Sequence, residues 1–74
     1  MTTTLDARGL KCPLPVLRAR KALRDVAAGE ALEILATDPA APKDFRLFCE
    51  QTGHGFEGSA ESGDGYAITI RKKT

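Results

Sequence analysis

Between Pro13 and Arg71 the apolar residues change their spacing three times, and each change marks a new kind of element. Val16, Ala19, Leu23 and Val26 recur every three or four positions, with Ala22 beside them, which is the spacing of one face of an α-helix. Arg18, Arg20, Lys21, Arg24 and Asp25 fill the other sides. Leu32, Ile34 and Ala36 then alternate, as in a strand with one buried face, while Leu35 on the other face does not follow from alternation. Phe45, Phe48, Cys49 and Thr52 return to helical spacing. Tyr66, Ile68 and Ile70 return to alternation, as do Phe56, Gly58 and Ala60 against Glu57, Ser59 and Glu61.

Boundary residues sharpen this outline. Thr3 to Asp6 forms a short strand with Leu5 inward, and "ARGLK" connects it to a first helix opening at Pro13. That helix runs to "AAGE", with Gly29 as its stop. The second helix has Asp38 as N-cap and Pro39 at its first position, with Pro42 tolerated in the first turn. Gly53 or Gly55 ends it in a left-handed conformation. "SGDG" supplies an Asp64–Gly65 hairpin turn. The order is β-α-β-α-β-β. Two helices on one face of a four-stranded mixed sheet would bury each apolar stripe once. The expected class is thus an α/β (α+β) two-layer sandwich, formed as a single domain over residues 1–74.

Composition narrows the function. A chain of 74 residues buries only about 60% of its unfolded surface, so staples would help it. Two cysteines allow at most one disulfide, and with one His they fall short of a structural zinc set. "MTTTLDARGL" holds no apolar run for a signal peptide or a membrane span, so a reducing, cytoplasmic setting is expected, with no membrane contact. Net charge is +1 but unevenly spread. Residues 1–29 carry six basic side chains against Asp6 and Asp25, and residues 30–70 carry two basic against eight acidic. The basic half suits an acidic partner surface or RNA phosphate, and equally a solvated helix face.

The stretch "LKCPLPVL" carries the chemistry. The first N–H groups of a helix lack intrahelical partners, and the dipole adds positive charge there. A thiol at that point, with Lys11 adjacent and Arg8 near in sequence, is expected to have its pKa lowered. Pro13 and Pro15 cost no hydrogen bond in a first turn and fix the aim of the sulfur. A thioredoxin-like dithiol would need a second Cys where Pro15 stands, and the single His54 follows the second helix with no sequence tie to Cys12. A thiolate without acid–base apparatus fits a group carrier that holds sulfur as a persulfide. The alternative is a small buried hydrophobe.

At these residues the chain resembles the TusA-like (SirA-like) sulfur-carrier family. "LDARGLKCPLPVLRARKAL" holds the family's Cys-Pro-x-Pro hallmark, and "ATDPAAPKDFRLFCEQTGH" looks like its second strand and helix, Asp38-Pro39 included. The likeness runs from about Leu5 to Lys73. It implies a β-α-β-α-β-β two-layer sandwich, and a role for Cys12 in taking persulfide sulfur from a cysteine desulfurase or rhodanese and relaying it to another protein. In one branch the sulfur ends in tRNA 2-thiouridine; others serve molybdenum cofactor assembly or sulfur oxidation. Nothing in the chain chooses among them. The relay needs no cofactor and no metal, and makes the chain a sulfurtransferase in the broad sense.

The expected site is therefore Cys12 as the reacting atom and Pro13 and Pro15 as positioning residues. Arg8, Lys11, Arg18 and Lys21 are the candidate docking surface for donor and acceptor proteins, and the free chain is expected to be a monomer. Cys49, on the Phe45–Phe48 face, reads as core, against the alternative of a resolving partner for Cys12. The competing function is a non-catalytic interaction or regulatory module using the basic helix face, in which Cys12 is dispensable. RNA binding ranks last. There is no GXXG loop, and three Phe and one Tyr give no stacking pattern.

Overall fold

The computed structural model describes residues 2–73. Strand β1 (Thr2–Asp6) leads through a loop to helix α1 (Leu14–Ala22), which a 3-10 turn at Leu23–Asp25 prolongs. Strand β2 (Ala31–Ala36), helix α2 (Ala41–Thr52) and the hairpin β3 (Gly55–Ser62) and β4 (Gly65–Arg71) follow. The sheet order is β1-β2-β4-β3, with β1 parallel to β2 and the remaining pairs antiparallel.

Register puts the alternating residues on one face. Leu5 pairs with Ile34, Ile34 with Ile68, and Leu32 with Ile70. Leu32, Ile34, Ile68 and Ile70 have no solvent exposure, and Phe45 of α2 is equally buried against them. Full burial of a side chain of this size is worth about 2–3 kcal/mol, so this layer dominates the stability of so short a chain. From α1 the core takes Pro15 and Ala19, then Leu23 and Val26, with Val16 and Ala22 partly covered. No buried polar side chain among the described residues lacks a hydrogen-bond partner.

Four local readings are corrected by tertiary structure. Helix α1 stops at Ala22, and Val26 is already extended, so its place on the apolar face comes from a 3-10 turn. The late carbonyls are taken from outside the helix: the Lys72 ammonium donates to Leu23 O and Val26 O, each at 2.8 Å. Gly29, at φ +84°, lies in the turn into β2, where its N–H bonds to Lys72 O at 2.9 Å. Second, α2 begins at Ala41 with Ala40 as N-cap, so Asp38 and Pro39 stand before the helix and Pro42 is in its first turn. Asp38 Oδ1 accepts from Ala40 N at 2.9 Å, which leaves its other oxygen free to reach elsewhere.

Third, the hairpin turns at Gly63–Asp64, one residue earlier than expected, with Ser62 paired to Gly65. Gly63 takes the positive φ of +60° that the first position of a type II′ turn requires. Gly65 is needed for another reason, because a Cβ there would overlap the Ala36 carbonyl oxygen. Fourth, β3 does not alternate throughout. A bulge between Phe56 and Gly58 changes the register, so Phe56 pairs with Ile70 but Ala60 pairs with Ala67, on the opposite face. The expected end of α2 at Gly53 is observed, at φ +88°.

Candidate active site at the start of α1

The loop that carries Cys12 is held by the end of β2 and the β2–α2 connection. Ala7 N–H donates to Leu35 O at 2.7 Å, Gly9 N–H to Thr37 Oγ1 at 2.9 Å, and Cys12 N–H to Asp38 Oδ2 at 2.6 Å. Asp38 thus bridges the two segments: one oxygen fixes the turn into α2 and the other the backbone of Cys12. Both N–H groups hold its carboxyl below the usual range, with Lys11 adding a smaller pull. This positioning role was not foreseen, since it spans 26 residues and leaves no local pattern.

Cys12 is exposed and Cys49 is buried, and both are free thiols. Pro13 is the N-cap residue, so Cys12 stands one residue before the cap and not inside the first turn. The Cys12–Pro13 peptide bond is cis. Pro15 is buried within the first turn, as a brace for that end of α1.

The sulfur faces a groove of about 180 Å³ between the two helices. Cys12, Pro13, Val16 and Arg20 line it from one side, and Asp44, Leu47, Phe48 and Gln51 from the other. The Arg20 guanidinium lies 5.5 Å over the Phe48 ring. Here the electrostatic expectation is reversed. The Cys12 thiol is pushed above its ordinary value, first by its hydrogen bond to the Asp44 carboxylate, then by desolvation and the charges of Asp44 and Asp38. That carboxylate outweighs the dipole of a helix whose N-cap, Pro13, comes only after Cys12. Asp44 could not have been found from spacing, because it lies on another element 32 positions on.

The four basic candidates do not converge on the sulfur. Arg8 is engaged by Asp6, at 2.9 Å and 2.8 Å, and lines a separate cavity with the β3–β4 turn. That guanidinium lowers the Asp6 carboxyl to about 2. Lys11 lies beside Asp38 in a cavity with Gly9, Leu10 and Thr37. Arg18 and Lys21 do share a surface, but with Leu5, Ala22 and Asp25 toward β1. The basic residue in the Cys12 groove is Arg20, which the sequence reading passed over. Exposed apolar side chains were missed as well: Leu14 and Leu17, one turn apart on α1, and Leu47 on the groove wall are each about half exposed, at 45%, 51% and 49%.

His54 serves the far end of the molecule. Its Nδ1 accepts the Lys73 N–H at 3.0 Å, its ring lies 5.7 Å from that of Phe48, and burial beside Lys73 and Lys72 lowers its pKa. Burial alone raises the Cys49 thiol. Among the described residues no group of three His, Cys, Asp or Glu could hold a metal ion, and no helix is long and apolar enough to cross a membrane.

Comparison with known proteins places this geometry. The family model described as sulfurtransferase TusA matches residues 3–72. A sulfur carrier protein TusA of Allochromatium vinosum is 47% identical over 68 residues, covering 92% of this chain and 90% of that protein. A sulfur carrier protein TusA of Pseudomonas entomophila is 46% identical over 70 residues, covering 95% and 88%. The crystal structure of a SirA-like protein from Desulfitobacterium hafniense superposes with a TM-score of 0.82 at 32% identity, over 100% of both chains.

Proposed function

The chain belongs to the TusA sulfurtransferase family, and from that premise we propose that it is a sulfur carrier whose reacting atom is Cys12 Sγ. The observation that carries this reading is an exposed thiol on a loop whose backbone is fixed at three points by β2 and the β2–α2 connection. Such a thiol can enter a partner's site without rearrangement of its own loop.

The chemistry needs no cofactor. The Cys12 thiolate attacks the outer sulfur of a donor persulfide. An S–S bond forms at Cys12 as the donor's S–S bond breaks, and the donor leaves as a thiolate that takes up a proton. No net oxidation occurs. Delivery repeats the displacement, with an acceptor thiolate attacking the outer sulfur and Cys12 as the leaving group. The donor class is a persulfide-bearing protein of the cysteine desulfurase or rhodanese type, and the acceptor is a further relay protein. Pro13 and Pro15 hold the start of α1, and Asp38 holds the Cys12 backbone.

Docking falls to the surface around the thiol. The half-exposed Leu47 on the groove wall, with Leu14 and Leu17 half exposed on the helix that follows Cys12, supports a protein partner, since exposed apolar side chains are a common interface signature. Lys11, Arg18 and Lys21 add a basic flank, with Arg18 and Lys21 further from the sulfur than Lys11; Arg8, held by Asp6, has less charge to offer. The test is intact mass after exposure to a persulfide donor. The native chain should gain one sulfur atom that a reductant removes, and Cys12→Ser should gain none. A Ser variant that loads normally would leave the interaction-module reading in its place.

A further inference from the structure

The charges around Cys12 are of the wrong sign for a self-activated thiolate. Asp44, in the first turn of α2, lines the same groove as Cys12, and Asp38 on the β2–α2 connection accepts the Cys12 N–H at 2.6 Å, so two carboxylates border the thiol. Of the nearby cations, Lys11 acts on Asp38, and Arg20, on α1, lies over the Phe48 ring. Leu47 and Gln51 complete the groove wall without charge. We propose that Asp44 holds Cys12 as an S–H thiol in the free carrier, and that the sulfur site of its partner presents a cation that offsets this carboxylate and releases the thiolate.

Two consequences of the geometry support this. Asp44 is placed by the helix, with its N–H donating to Ala40 O at 2.9 Å, and the Cys12 backbone is fixed by Asp38, so both side chains are carried into the one groove on fixed backbone. The groove is open, so a partner's Lys, Arg or protonated His could reach the carboxylate without unfolding either helix. A thiol kept as S–H is slow toward oxidants and stray electrophiles, because the thiolate is the nucleophile. An exposed carrier thiol would then react only where a complementary charge waits. The cation clause rests on the carrier reading above; the Asp44 clause does not.

The test is the pH profile of Cys12 alkylation by iodoacetamide, followed by peptide mass so that Cys49 is scored separately. In Asp44→Asn the midpoint should fall below that of the native chain, and Asp44→Glu should restore it. Removing a carboxylate at hydrogen-bond range gives about tenfold more thiolate near neutral pH. Each thiolate is then about threefold less nucleophilic, so the net rate at pH 7 should rise roughly threefold. Superimposable profiles would overturn the role of Asp44. A second arm needs no variant. A cationic methanethiosulfonate should modify native Cys12 faster than an anionic one, relative to their ratio on 2-mercaptoethanol, and salt should shrink the preference. Parity or an anion preference would overturn the cation clause. Neither arm uses a persulfide donor. A chain that passes both and yet refuses persulfide sulfur would therefore refute the carrier function while leaving the Asp44 clause standing.

Discussion

Replacing Lys72 by Met removes an ammonium group but keeps most of the apolar stem. That ammonium donates to Leu23 O and Val26 O, both at 2.8 Å, where α1 gives way to the chain leading into β2. Hydrogen bonds to a charged group contribute about 1.5–3 kcal/mol each. This pair is partly exposed, and water can serve the freed carbonyls in part, so about 2 kcal/mol for the two together is expected. For a domain of this size each kcal/mol moves Tm by about 4–8 °C, which places the loss near 10 °C. Urea and thermal unfolding followed by far-UV circular dichroism would measure it, with the urea m-value unchanged if the native fold persists. The backbone pairing of Lys72 with Gly29 and Glu30 does not depend on the side chain and should survive. Sulfur loading should be unaltered, because Lys72 acts at the end of α1 away from Cys12. A loss below about 0.5 kcal/mol would show that water alone satisfies those carbonyls, and that the early stop of α1 has another cause.

Cys49→Ala should cost about 1 kcal/mol from lost packing and leave transfer intact, and the native Cys49 thiol should alkylate slowly; rapid native labelling would bring it into the site. Asp6 should titrate by NMR with a midpoint of about 2, and Arg8→Ala should raise it only part of the way to the ordinary carboxylate range, because the backbone N–H of residue 8 still donates to Asp6 Oδ1 at 3.1 Å. Because the folded-state value is depressed, any stability from this pair is present above the unfolded carboxyl's pKa and disappears as pH falls through about 2. Both groups are solvent-exposed, so the effect on unfolding should be small even where the NMR shift is clear. Charge reversal of Arg18 and Lys21 to Glu should slow protein-to-protein transfer through the association rate, most at low salt, and spare loading by a small-molecule persulfide. Equal loss with both donors would instead indicate damage to α1.

What the sequence revealed, and what it hid, divides along the length scale of the interactions. Element order and the sheet's buried face were legible because Leu32 with Ile34, and Ile68 with Ile70, each advertise their burial by alternation two positions apart. A glycine stop for α2 was legible for the same local reason, narrowed to Gly53 or Gly55, of which the fold uses Gly53. The end of α1 was not, because the carbonyls that follow it are bonded by a lysine 49 positions from Leu23. The hairpin turn slipped by one residue because two glycines flank Asp64, and contact between Gly65 and the Ala36 carbonyl decides which of them turns the chain.

The site shows the same division. Cys12 and its prolines form a compact motif, whereas the two carboxylates that set the sulfur's environment arrive from the β2–α2 connection and α2. Asp38 looked complete as a helix cap, which concealed its second oxygen. Arg8 and Lys11 looked like activators on proximity in sequence alone, yet Arg8 is spent on Asp6 and Lys11 acts on Asp38. Basic residues on a short helix point in several directions, and three-residue spacing placed Arg18 with Lys21 correctly without saying which side of the helix holds the thiol.

The central claim is that Cys12 holds and passes on sulfane sulfur, and mapping that sulfur residue by residue tests it most directly. The native chain would be loaded with a persulfide donor, capped by alkylation, digested and analysed by mass, with and without a brief chase by an acceptor thiol. One added sulfur is expected on the peptide containing Cys12, with its departure to the acceptor during the chase and no loading in Cys12→Ser. Sulfur found on Cys49, or loading that survives the Cys12→Ser substitution, would contradict it.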